Sequence, residues 1–180
     1  MARILDEPDA CVIRSVRPSD APALSAFYAA LSVDSRARRF LGARQGISDD
    51  EAMTYATADH THREGFLAIA TRMSVVGEPD RPEGPEGAIL AHLCLEPCGP
   101  GTAEFGIAVA DPFQHHRIGS ALLRTGVDWA RDHGVRTLTA TARVDNAPLL
   151  ALVLALDVPL TAGVGRAGTM PLSLDLSPRR

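Results

Sequence analysis

Strand-like and helix-like stretches follow one another along this chain in an order that few folds accept. CVIRSVR (11–17) is short and rich in β-branched residues, and reads as a strand. Pro18-Ser19-Asp20 opens a helix, with Leu24, Phe27, Tyr28 and Leu31 at helical spacing. SRARRF (35–40) continues as a second short helix, and Ser48 with Glu51 is a capping box for a third, about Asp49 to Ala58. EGFLAIATRM (64–73) and AILAHLCLEP (88–97) read as a hairpin joined by a long, mobile Pro/Gly/acid-rich connection, VGEPDRPEGPEG (76–87). AEFGIAVAD (103–111) is a further strand, Ile118 to His133 an amphipathic helix with Gly134 at its C-terminal cap, and RTLTATARV (136–144) a strand. Pro148 to Leu156 reads as a helix, and PLTAGVG and TMPLSLDL as two closing strands. This is neither the regular alternation of a doubly wound sheet nor an all-β order. It predicts a mixed α/β (α+β) fold: one mostly antiparallel sheet of about seven strands with helices on both faces.

The length, 180 residues, fits one domain over 1–180, with a core at about 11–176 and no internal repeat. Such a chain buries roughly 70% of its surface without needing a disulfide or a metal. Hydrophobic residues make up 46% and charged residues 22%, a globular composition. No apolar run approaches the roughly 20 residues that cross a bilayer. MARILDEPDACVIR carries acids early and does not read as a secretory signal. The expectation is a cytoplasmic protein with no membrane partner.

A net charge of −4 and a pI near 5.8 argue against nucleic-acid binding, which needs a basic face. All 18 basic residues are arginine, so chemistry by a lysine nucleophile or Schiff base is excluded. Three cysteines, Cys11, Cys94 and Cys98, read as reduced thiols. Cys94, Cys98 and His92 make three candidate zinc ligands where a structural site wants four, so no metal is expected.

GVGRAG (163–168) matches a dinucleotide-binding pattern. That pattern has meaning only before a helix, and here an alternating strand follows, so the glycines read as a hairpin turn. QHHRIGSALL (114–123) has the context the other lacks: a strand ends at Asp111-Pro112 and a helix starts within a few residues. Free backbone amides and the positive end of the helix dipole meet there, which makes an anion site. Gly119 allows close approach, and Arg117 can add a charge-assisted hydrogen bond to a phosphate. Adjacent His115 and His116 read as exposed loop residues flanking that site.

AEFGIAVADPFQHHRIGSALLRTGVDWARDHGVRTLTATARVDNAPLLAL resembles the core of the GNAT superfamily of acetyl-CoA-dependent N-acetyltransferases, whose Gln/Arg-x-x-Gly-x-Gly/Ala motif is matched by Gln114, Ile118 and Gly119. Arg117 stands where the motif has its first glycine, and Asp157-Val158-Pro159 replaces a Gly-Phe pair usual further on. The element order matches from about Val12 to Leu176, and the opening IRSVRPSDAPALSAFYAALSVDSRARRF is similar to the GNAT domains of Pat-like bacterial protein-lysine acetyltransferases.

The resemblance implies acetyl-CoA as co-substrate. Amides from Gln114 through His115, His116, Arg117, Ile118 and Gly119 to Ser120 would hold its pyrophosphate, and Ile107 and Val109 its pantetheine arm. Asn146 would contact CoA as well as capping a helix, a role its residue type favours anyway. Glu104 would be the general base, with burial beside Phe105 and the hairpin raising its pKa; an exposed strand-edge glutamate is the other reading. No general acid can be assigned, since Tyr28 and Tyr55 lie far upstream. Arg36, Arg38 and Arg39 read as a solvated, ion-paired face, with a contact to substrate or CoA as the other reading. The implied activity is acetyl transfer to a primary amine, preferably a protein lysine. A small amine, or a non-catalytic acyl-CoA-binding module, is the alternative. The protein is expected to be a monomer or homodimer. With a first strand near Cys11 and the last ending near the C-terminus, no room is expected for a ligand-sensing domain.

Overall fold

The computed structural model describes residues 11–71 and 87–177. In chain order its elements are β1 (Cys11–Ser15), α1 (Ala21–Ala30), α2 (Val33–Phe40), α3 (Asp49–Ala56), β2 (Glu64–Ala70), β3 (Ile89–Gly99), β4 (Thr102–Val109), α4 (Ile118–Asp132), β5 (Thr137–Arg143), α5 (Ala147–Leu154), β6 (Leu160–Ala162) and β7 (Thr169–Asp175). The strands form one seven-stranded sheet in the order β1-β2-β3-β4-β5-β7-β6. Each neighbouring pair is antiparallel except β4 and β5, which run parallel. The mixed, mostly antiparallel sheet expected from the element order is therefore present. The N-terminal stretch and most of the 76–87 connection lie outside the described residues.

Local chemistry sets the helix ends. The Ser48 hydroxyl accepts from the Glu51 amide at 3.2 Å while the Glu51 carboxylate accepts from the Ser48 amide at 2.9 Å. This is the capping box read from sequence, and it starts α3. The helix stops at Ala56 rather than Ala58. Gly134 takes φ +75°, the left-handed conformation its position after α4 requires. GVGRAG forms the connection between antiparallel β6 and β7, with Ala167 and Gly168 at positive φ. A strand follows it, so no helix N-terminus faces those glycines.

Two cores lie on opposite faces of the sheet. On one, Leu122, Leu123 and Val127 of α4 pack with Leu93, Leu95, Phe105 and Leu138. α4 comes so close that a Cβ on Gly126 would lie 2.4 Å from the Leu93 side chain. On the other, α1 and α3 cover Val16, Leu24, Tyr28, Leu67 and Ala108. Each fully buried leucine contributes about 1.5–3 kcal/mol.

The second core holds a polar pair. Tyr28 Oη and His92 Nδ1 are 2.8 Å apart, and both residues are fully buried. Burial, and then the nearby Arg39 cation, push His92 down from 6.5 to about 3. Between those values the unfolded chain binds a proton that the folded protein refuses. Stability is therefore lost as the pH falls from about 6.5 towards 3, at about 1.4 kcal/mol per pH unit for this one group. In His92→Asn the titratable ring is gone, while an amide remains to meet Tyr28. Urea unfolding between pH 4 and 7 should give a slope shallower by about one proton in that variant, at lower overall stability. Equal slopes would contradict the buried neutral histidine.

Candidate active site

A cavity of about 760 Å³ opens where β4 and β5 part. The two strands pair only at Thr102 with Thr137, Ala103 with Leu138 and Glu104 with Thr139. Beyond Glu104, β4 remains paired with β3 as far as Val109, and β5 remains paired with β7 as far as Arg143. Each strand follows its outer neighbour, and a gap opens between them. The Ala110 amide donates to Leu90 on the β3 side. Alternation then turns the peptide groups of Ile107 and Val109 towards the gap, where no strand meets them.

The N-terminus of α4 closes one end of this gap. Arg117 is its N-cap, without a side-chain cap hydrogen bond, and no acid stands in the first turn. The amides of Ile118, Gly119 and Ser120 belong to that first turn, which has no intrahelical acceptor for them. A Cβ on Gly119 would lie 3.2 Å from Val109 and 3.3 Å from Leu152. Glycine therefore lets the helix start press between β4 and α5. Arg117 has φ +60° and His115 φ +66°. The position where the motif has glycine thus keeps the left-handed backbone, at a cost of roughly 1–2 kcal/mol for a side chain.

The structure brings most of the expected binding residues to one place. Ile107, Val109, Gln114, His115, Arg117 and Gly119 line the cavity, as do Ser120 and Asn146. His116 and Ile118 do not. His116 is exposed outside the lining, and Ile118 is buried in the core with its side chain among the leucines of α4. The Gln114 side chain acts as a clamp, donating to Ser35 Oγ at 3.0 Å and to the Val109 carbonyl at 3.2 Å. Its amide donates to the Asp111 carbonyl at 3.3 Å. Asp111 accepts from the Ser32 amide and from the hydroxyls of Ser32 and Ser35, at 2.8, 2.6 and 2.7 Å. These bonds fasten the start of α2 to the loop before α4. Asn146 caps α5 by accepting from the Leu149 amide at 3.2 Å.

Glu104 stands at the last paired position before the gap and lines the cavity. It is exposed rather than partly buried. Alternation sends Phe105 into the α4 core and turns Glu104 to the face of α1–α3, so the phenyl ring cannot cover it. Its cross-strand partner is Glu96, which is held by Arg63 at 2.6 Å. Cys94 and His92 share that face of β3, whereas Cys98 sits at its exposed end near Thr139. Among the described residues no group of three or more His, Cys, Asp or Glu side chains is placed to hold a metal, and no helix is long and apolar enough to cross a membrane.

The three arginines of SRARRF do not form one solvated face. Arg36 donates to the carbonyls of Arg44, Ala29 and Leu31. Arg38 pairs with Asp34 at 2.7 Å and lines the cavity. Arg39 turns inward over β4, where a Cβ on Gly106 would lie 2.6 Å from its guanidinium. Sequence reasoning gave no role to Gly106. The glycine in the middle of the strand was the available signal.

A mixed sheet whose parallel pair parts in front of an uncapped helix N-terminus, with a carboxylate at the fork, defines a groove for an extended, anionic co-substrate. The family model for the acetyltransferase (GNAT) family matches residues 47–156, and the chain belongs to that family. The GNAT domain of Streptomyces lividans PAT aligns at a TM-score of 0.75 and 22% identity, over 92% of this chain and 90% of that one. YncA of Salmonella typhimurium, a putative acetyltransferase solved with acetyl-CoA, aligns at 0.71 and 18%, over 95% and 96%. The ribosomal-protein-S18-alanine N-acetyltransferase of Escherichia coli aligns at 0.65 and 18%, over 94% and 96%. At these identities the likeness shows the fold. No curated protein sequence matches the chain.

If the groove takes acetyl-CoA, the ligand at 100 times its Kd stabilises the folded state by about 2.7 kcal/mol, a rise on the order of 5–10 °C in melting temperature. Gly119→Glu wedges a charged side chain between β4 and α5 at the start of the cradle, and should remove the shift. A Gly119→Glu protein whose melting point still rises with acetyl-CoA would contradict the cradle.

Proposed function

We propose that this chain is an acetyl-CoA-dependent N-acetyltransferase that acts on a primary amine by direct attack in a ternary complex, with Glu104 as general base. The observation that carries this reading is the position of Glu104, at the fork where the donor groove between β4 and β5 begins. The amides of the α4 N-terminus and its dipole suit a pyrophosphate. The strand-free edge of β4, with the Ile107 peptide groups and the Val109 amide turned to the gap, suits the amides of a pantetheine arm. The arm's thioester then ends beside Glu104.

The chemistry balances simply. Only a neutral amine attacks a thioester, so the acceptor's ammonium first gives one proton to Glu104. The nitrogen adds to the thioester carbon and the C–S bond breaks. The second proton passes from nitrogen to the departing thiolate, leaving an amide and free CoA thiol, and Glu104 returns its proton to solvent. α5 presents Leu149 and Leu152 to the cavity, so no side chain there serves as the acid. Solvent at the open fork fills that role.

Two acceptors remain in the proposal. The resemblance to Pat-like enzymes supports a protein lysine. One feature of the site favours a small amine instead: the acceptor side of β4 carries the Arg39 guanidinium, which repels a lone lysine ammonium.

Glu104→Gln keeps the side-chain shape and removes the base. Thiol release from acetyl-CoA, measured over a panel of amines and acetylatable proteins, should fall about 10²–10⁴-fold in the variant. The acetyl-CoA melting shift should stay unchanged, because the carboxylate is not at the pyrophosphate end. Full activity in Glu104→Gln would place the base elsewhere. Failure of every amine, with the melting shift intact, would support a non-catalytic acyl-CoA-binding module.

A further inference from the structure

Among the described residues Arg39 has no counter-charge, and it lines the groove beside Glu104. Its guanidinium lies flat on β4 at Gly106, within 2.6 Å of where a Cβ would stand. Nη2 reaches only neutral groups, Cys94 Sγ at 3.3 Å and Tyr55 Oη at 3.5 Å. The Phe40 and Tyr55 rings flank it at 5.1 and 5.8 Å, and its Nε is buried with no hydrogen-bond partner. Arg14, Arg38, Arg44, Arg63 and Arg143 each pair with an Asp or Glu. No carboxylate among the described residues pairs with Arg39. Arginine stays charged at any working pH. Taking such a charge from water without an anion carries a desolvation cost. Phe40 and Tyr55 repay part of that through cation–π contact, but neither uses the guanidinium fork.

Arg39 and Glu104 line the same cavity. Glu104 and Gly106 are two residues apart on β4, so they share the face that α1–α3 cover, about 7 Å apart along the strand. The donor arm uses the other edge of β4, at Ile107 and Val109. A molecule that brings an ammonium to Glu104 from the α1–α3 side therefore lays its next polar group against Arg39. A guanidinium matches a carboxylate with two parallel hydrogen bonds, a fit that a lone point charge does not offer. We infer that Arg39 receives the carboxylate of the amine acceptor, and that the acceptor is a free amino acid rather than a lysine within a protein. This inference rests on the N-acetyltransferase reading above.

The test pairs free amino acids with their α-carboxamides in the thiol-release assay, using wild type, Arg39→Gln and Gly106→Ala. In wild type, kcat/KM should favour the carboxylates on the order of 100-fold, the scale of one buried charge pair. Arg39→Gln should erase that preference, chiefly through the acceptor KM, with the acetyl-CoA melting shift retained. Gly106→Ala keeps the charge but pushes it off β4, and should weaken the preference in the same direction. Equal rates on carboxylates and carboxamides in wild type, or a lysine peptide preferred over every amino acid, would overturn the inference. So would a preference for succinyl-CoA over acetyl-CoA that Arg39→Gln removes, since it places the anion on the donor. If no amine is acetylated, the N-acetyltransferase reading falls. Arg39 is then judged by calorimetry of the same amino acids with the protein–CoA complex, where no Arg39-dependent binding overturns the inference too.

Discussion

The parting of β4 from β5 is the constraint from which the site follows. Three register pairs hold the strands together, and after Glu104 each follows a different neighbour. In a closed sheet the peptide groups of Ile107 and Val109 would be spent on β5. Here they line a cavity instead. An unpaired backbone edge inside a fold carries a free-energy cost unless water or a ligand meets it. The same parting sets Glu104 at the fork and leaves room for the start of α4 at the far end. Gly119 makes that room usable, because any side chain there would meet Val109 and Leu152.

The two faces of β4 divide the labour. Phe105 packs on the α4 core. Glu104, Gly106 and Ala108 look towards α1–α3, where all three line the cavity and Ala108 also joins the core. That face holds a chain of polar groups unusual for a protein interior: Tyr28 on His92, and Arg39 on Cys94 and Tyr55. His92 stays neutral under burial and under the Arg39 cation. α2 carries Arg39, and Asp111 and Gln114 tie the start of α2 to the loop that opens α4. The loop before α4 and the Arg39 face of β4 are therefore fastened to each other through side chains of one short helix.

Most of this fold was legible in the sequence because its elements announce themselves locally. Leu24, Phe27, Tyr28 and Leu31 recur at helical spacing and are all buried. Ser48 and Glu51 cap α3 as their spacing requires. The strand after GVGRAG correctly separated a turn from a phosphate loop. What the sequence did not show is tertiary. The parting of two strands depends on neighbours far along the chain, so no local period records it. SRARRF reads as three solvated charges because helical spacing says nothing about which face meets the sheet. Only the placement of α2 against Gly106 turns Arg39 inward, with no acid beside it among the described residues. Glu104 was expected to be partly covered by Phe105, yet adjacent residues on a strand face opposite sides.

The proposed donor groove depends on the free edge of β4, and amide hydrogen exchange reads that edge directly. In the free protein the Ile107 and Val109 amides should exchange much faster than those of Gly106 and Ala108, which alternation turns to β3. Saturating acetyl-CoA should slow Ile107 and Val109 on the order of 10-fold or more and leave Gly106 and Ala108 nearly unchanged. If Ile107 and Val109 exchange at the same rate with and without bound acetyl-CoA, the gap between β4 and β5 is not the donor groove.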